Sequence, residues 1–207
     1  MISSWNRSMM DRFPVRRDDL MDDSKRVSAE TAVRFLLNGN REYAETGRMN
    51  GDYSEARRID TEENGQHPYA VVLTCSDSRV VPEAIFSAGN GDLFVIRTAG
   101  NTIDEGTLGS IEYAVEHLGC NLVVVLGHTH CGAVDAALHE HKGLKVTAIL
   151  DKISDAAGDE KDPLRVTELN AIASAKIVCE DLIMDEGVVV KAAVYDIRTG
   201  LVRFIRY

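Results

Sequence analysis

The chain has 207 residues, with 23 Lys+Arg against 33 Asp+Glu and a formal net charge of −10. That length favours one domain with an arm over two domains, and 44% hydrophobic with 27% charged residues is ordinary globular usage that can bury a core without staples. The acidic balance argues against a nucleic-acid backbone as partner, and the longest apolar runs fall far short of the roughly 18 residues that a membrane span needs.

Arg7, Asp11 and Arg12 stand at the N-terminus without an apolar stretch, so the start does not read as a secretory signal. The expectation is a cytoplasmic protein. In a reducing compartment its four cysteines are free, catalytic or metal-bound rather than paired. Residues 1–27 are polar and mixed in charge, with isolated Trp5, Met9, Met10 and Phe13. They read as an arm, which leaves 28–207 as the domain.

Ser28 caps a helix whose stripe is Thr31, Ala32, Phe35 and Leu36, expected to end near Gly39. Residues 48–67 are polar and read as a long loop. Residues 69–74 form a buried strand. Pro82 opens a short helix to about residue 87, and 93–96 is a second buried strand. Leu108, Ile111, Val115 and Leu118 make a helical stripe that Gly119 stops. A third buried strand at 122–126 precedes a helix from about 133 to 140. After a broken stretch near Gly158, a long helix spans 163–185 with the stripe Ile172, Ala175, Cys179, Leu182 and Ile183. A fourth strand covers 188–195, and Thr199-Gly200 turns the chain into an edge hairpin strand at 202–205. Strands that are apolar throughout and alternate with helices define an α/β fold: a mostly parallel four-stranded sheet with helices on both faces.

Two cysteines occupy equivalent places. Cys75 ends the first strand in Cys75-Ser-Asp-Ser-Arg79, and Cys131 follows the third in Gly127-His-Thr-His-Cys-Gly132. Open parallel sheets form ligand sites at the carboxyl ends of their strands, so Cys75, His128 and Cys131 can converge. Two thiolates and one imidazole suit zinc, and three protein ligands leave the fourth position open as catalytic sites do. His130 competes with His128, but it adjoins Cys131, and both would have to turn inward from neighbouring positions. Asp77 is either a fourth ligand or a carboxylate that Arg79 holds off the metal through a bidentate pair. A lone His-x-x-Cys is a weak motif; beside Cys-x-Asp-x-Arg it is a strong one. Cys179 and Cys120 read as core, and His139 and His141 as surface histidines. No Gly-x-Gly-x-x-Gly follows a strand, so a dinucleotide site is not supported.

Both motifs resemble those of the β-class carbonic anhydrases. Phe94-Val-Ile-Arg97, Ala99-Gly-Asn101, Gly109-Ser-Ile-Glu-Tyr-Ala-Val115 and Leu37-Asn-Gly-Asn-Arg41 are similar to the family as well, over about residues 28–206. The resemblance implies Zn2+ on Cys75, His128 and Cys131, with Asp77 and Arg79 as a catalytic dyad. It implies reversible hydration of CO2 to bicarbonate and a proton. It implies a substrate pocket lined by Gln66, Phe94 and Tyr113, a homodimer or dimer-based higher oligomer, and an N-terminal helical arm that clasps the partner. A bicarbonate-switched subset of the family has Trp three residues before the first cysteine. Val72 stands there, so the ungated type is expected. Two alternatives stay open: a carbonyl sulfide or carbon disulfide hydrolase on the same site, and a non-catalytic zinc-binding scaffold.

Overall fold

A computed structural model describes residues 27–139, 143, 145–181 and 187–207. Residues 1–26 of the expected arm, His141, and Leu182 and Ile183 of the expected long-helix stripe lie outside them. Five strands form one sheet: β1 (Ala70–Cys75), β2 (Leu93–Thr98), β3 (Leu122–His128), β4 (Val189–Tyr195) and β5 (Val202–Phe204), in the order β2-β1-β3-β4-β5. The first four are parallel, and β5 pairs antiparallel with β4 as the expected hairpin strand.

β1 and β3 are buried at every position because helices cover both sheet faces. Alternation sorts their side chains. Ala70, Val72, Leu122, Val124 and Leu126 pack with Phe35 and Leu36 of α1 (Ala29–Thr46) and with Ile85 of α3 (Pro82–Ile85). Val71, Leu73, Val123 and Val125 pack with Ile111 and Val115 of α4 (Glu105–Glu116) and with Ala171, Ala175 and Val178 of the long helix α7 (Pro163–Asp181). A third, smaller cluster joins Cys75 and Cys131 to Val134 of α5 (Gly132–Leu138), Ile153 of α6 (Thr147–Ala157) and Val166 of α7.

Several expectations need correction. α1 does not end at Gly39; it runs to Thr46, where Gly47 takes the left-handed cap at φ 65°. Gly39 is a packing residue, since a Cβ there would meet the carbonyl oxygen of Phe86 at 1.8 Å. The expected loop at 48–67 contains α2 (Glu55–Asn64), a helix with no buried residue and hence no apolar stripe to find. Ser54 caps it, and Arg57 anchors it to the Asn90 carbonyl at 3.0 Å and to Asp92 at 3.3 Å. β2 is an edge strand and only partly covered, not a buried one. α6 has no counterpart among the expected elements. On α7 the buried face is Val166, Thr167, Asn170, Ala171, Ser174, Ala175 and Val178. That turns Cys179 out to solvent, against its expected place in the core. Cys120 is buried as expected, with its thiol on the Pro68 carbonyl at 3.3 Å.

Buried Asn40 ties α1 to two other segments. Its Nδ2 donates to the Ile85 carbonyl at 3.1 Å and the Gly200 carbonyl at 2.8 Å, and its Oδ1 accepts from the Val202 amide at 2.8 Å. Asn40→Ala leaves three main-chain groups without this partner, and unpaired buried groups are costly. We expect a loss of about 2–3 kcal/mol in urea unfolding. An unaltered unfolding midpoint would remove Asn40 from this role.

Candidate metal centre

The sheet places the centre. Its order reverses between β1 and β3: β2 lies on one side of β1 and β3 on the other. In open α/β sheets the crevice at such a reversal, outside the carboxyl ends of the strands, is where ligands bind. The β1–β3 register pairs Leu73 with Val125 and Thr74 with Leu126, so Cys75 and His128 leave the sheet at the same end. Thr74 Oγ1 fixes that register by donating to the Leu126 carbonyl at 2.8 Å. Cys131 follows as the residue that starts α5.

These three residues are all buried, and their ligand atoms lie within 4.8 Å of one another. The two sulfurs are 4.0 Å apart. Tetrahedral thiolates bonded at about 2.3 Å would stand about 3.8 Å apart. His128 Nδ1 donates to the Thr129 carbonyl at 3.0 Å, which leaves Nε2 as the unprotonated nitrogen. That Nε2 is buried and makes no hydrogen bond. A buried acceptor facing two thiols is what a missing cation leaves behind, so the residues fit a metal. The contact between the two sulfurs draws the Cys75 thiol down against the opposing effect of burial, while Cys75 and burial push the Cys131 thiol up. A divalent cation would hold both as thiolates.

Asp77 and Arg79 form the pair that the sequence spacing suggested. Arg79 Nε donates to Asp77 Oδ1 at 2.9 Å, its Nη2 to Oδ2 at 2.7 Å, and its main-chain N–H to Oδ1 at 2.9 Å. The guanidinium holds the Asp77 carboxyl well below the usual carboxylate range, outweighing the partial burial that acts the other way. Asp77 Oδ2 stands 3.9 Å from His128 Nε2, beside the ligand set. Arg79 Nη2 also reaches the His130 carbonyl at 3.0 Å and so links the two ligand loops.

Two contributors had no role assigned from sequence. Arg97 of β2 donates to the Cys75 carbonyl at 3.2 Å and the Asp77 carbonyl at 2.7 Å, holding the loop between ligand and dyad. Gly100 donates its N–H to Cys75 Sγ at 3.3 Å. Neither residue's contacts have a spacing signature, because each is made across twenty or more positions.

The remaining candidates lie elsewhere. His130 is exposed. Phe94 pairs with Val71, four residues back from Cys75, which is about 13 Å along a strand. Its ring lies 6.2 Å from that of Tyr113, which is 46% exposed on α4. Gln66 lines a separate groove of about 320 Å³ with Tyr53, Thr61, Glu83 and Asn90. The chain therefore gathers the metal set and the dyad but does not bring Gln66, Phe94 and Tyr113 onto them.

Comparison with known proteins agrees with the site. The sequence model of the family described as carbonic anhydrase matches residues 70–202. Carbonic anhydrase 2 of Mycobacterium tuberculosis (strain CDC 1551 / Oshkosh) is 62% identical over 74 residues, 36% of each chain. The match thus spans about a third of that relative's length. The carbonic anhydrase of Emericella nidulans is 31% identical over 159 residues, 67% of this chain and 70% of that one. Among solved structures, one of two tetrameric β-carbonic anhydrases from Sordaria macrospora superposes with TM-score 0.64 at 27% identity, covering 84% of this chain and 96% of that one.

Fold and site together define an α/β protein with a three-donor metal centre at the reversal of a parallel sheet. The chain belongs to the β-class carbonic anhydrase family.

Proposed function

We propose that the chain is a zinc enzyme that reversibly hydrates CO2 to bicarbonate and a proton, with Cys75, His128 and Cys131 holding the ion. The observation that carries this reading is the buried, unpartnered Nε2 of His128 facing two thiols, with an ionised carboxylate alongside. Zinc held there supplies Lewis acidity that makes water a competent nucleophile near neutral pH.

The chain's own residues do the rest. Asp77, kept ionised by Arg79, is acceptor-only. It holds a water by its hydrogen beside His128 Nε2, and it repels the anionic oxygens of bicarbonate, which favours release. Arg79 and Arg97 fix Asp77 from its side chain and its main chain.

Phe94 and Tyr113 lie too far along their own strand and helix to cover this site. A second copy supplies them in our reading, as an apolar slot for CO2, with Gln66 as a hydrogen-bond donor. The assembly is a homodimer or a higher oligomer built from dimers. Reduced thiols at the centre suit a cytoplasmic setting. No described helix is long and apolar enough to cross a membrane.

Stopped-flow CO2 hydration with parallel zinc analysis tests the assignment. We expect about one zinc per chain and fast turnover. Zinc-replete protein inert towards CO2 from about pH 6.5 to 9 would overturn it. Side-by-side turnover of carbonyl sulfide measures the alternative substrate.

A further inference from the structure

The buried face of α7 is unusual for a helix that packs on a sheet. Three of its seven buried residues are polar: Thr167, Asn170 and Ser174. Thr167 returns its hydroxyl to its own helix, at the Pro163 carbonyl. The other two reach outward. Asn170 Nδ2 donates to the Gly100 carbonyl at 2.7 Å, and one turn on, Ser174 Oγ donates to the Asn101 carbonyl at 3.2 Å. Both acceptors lie in the tight turn Ala99–Asn101 that follows β2.

That turn is built on left-handed backbone. Gly100 has φ 65° and Asn101 φ 47°, two left-handed residues in succession. Its purpose is visible at the other end of Gly100, whose N–H points at Cys75 Sγ at 3.3 Å. Gly100 is thus gripped at its carbonyl by Asn170 and delivers its amide to a metal-ligand sulfur.

We infer that Asn170 is a positioning residue of the metal centre: through the Gly100 carbonyl it aims the Gly100 amide at Cys75 Sγ. The inference rests on the metal-site reading above. A hydrogen bond to a thiolate stabilises its charge and fixes its direction, and such outer partners are worth about 10–100-fold in metal affinity. An ordinary buried asparagine, placed only to satisfy a stray carbonyl, would affect stability without touching the metal.

The test uses the zinc-loaded full chain. Asn170→Leu keeps the side-chain bulk and removes the donor. Val178→Ala, deep on the same helix face and outside the centre, is the comparison for lost stability. Zinc release to a chelator should be at least tenfold faster in Asn170→Leu than in wild type, and unchanged in Val178→Ala. In the cobalt-substituted proteins the near-ultraviolet sulfur-to-cobalt band should shift in Asn170→Leu alone. Should that variant not fold, Asn170→Ala carries the same two measurements. Wild-type release rates and an unshifted band in a folded Asn170 variant overturn the inference. Wild-type protein that takes up no zinc or cobalt would instead overturn the metal reading beneath it.

Discussion

Asp77→Ala should lower the rate of CO2 hydration by about 10²-fold or more while the protein keeps its zinc. Positioned proton acceptors contribute about 10²–10⁴-fold to catalysis, and a hundredfold loss corresponds to about 2.7 kcal/mol of barrier. Asp77 is not needed to hold the ion, because three other donors already surround the position and Arg79 occupies both carboxylate oxygens. Truncation leaves Arg79 without its partner, but that side chain is about half exposed, so water replaces the carboxylate at little cost to folding. Arg79→Ala should act in the same direction by freeing Asp77 to turn. The pair also sets an acid limit. Because the folded carboxyl lies below its unfolded value, its contribution to stability is complete above about pH 4 and is lost as pH falls further. Stopped-flow rates beside metal analysis decide the matter. Full activity with full zinc in Asp77→Ala would sink the dyad.

Gly39→Ala should be strongly destabilising, although alanine in a helix interior normally gains about 1 kcal/mol over glycine. The new Cβ would lie 1.8 Å from the Phe86 carbonyl oxygen and 2.6 Å from its carbon. Both are main-chain atoms that end α3, so no flexible side chain can swing aside. α1 must move away from α3 and the sheet face beneath it, which also pulls at the three hydrogen bonds of neighbouring Asn40. We expect a loss of about 3 kcal/mol or more, seen as a melting temperature lower by about 6–12 °C. A melting temperature at or above that of wild type would overturn this role for Gly39.

What could be read from residues alone follows from what makes a local pattern. Val71-Val72-Leu73 and Val123-Val124-Val125 announce strands because both sheet faces are covered. The two ligand motifs were legible because each sits within six residues at a strand end. α2 has no apolar stripe because it buries nothing, whereas α6 buries only Leu150, Ile153 and Ala157; α7 is legible as a helix but carries Thr167, Asn170 and Ser174 on the face where leucine would be expected. Of the expected stripe, Ala175 is buried and Ile172 packs against the core, but Cys179 faces solvent. Gly39 misled for a related reason. Its glycine serves a tertiary contact with Phe86 rather than a helix end, and only the approach of another segment reveals that. The outer contacts from Arg97, Gly100 and Asn170 join residues 20 to 70 positions apart.

The three ligand atoms come from two strands that are neighbours in space but not in sequence, with Cys75 and Cys131 separated by 56 positions. An unfolded chain offers His128 and Cys131 as a local pair, yet the third donor arrives only when β1 zips against β3, after β2 and α4 have been looped out between them. Closing so long a loop is an entropic cost met before any contact rewards it. An ion bound only by the native state would draw the whole population towards it by mass action. Loaded with metal, the centre would lock the central sheet as well as carry the proposed chemistry.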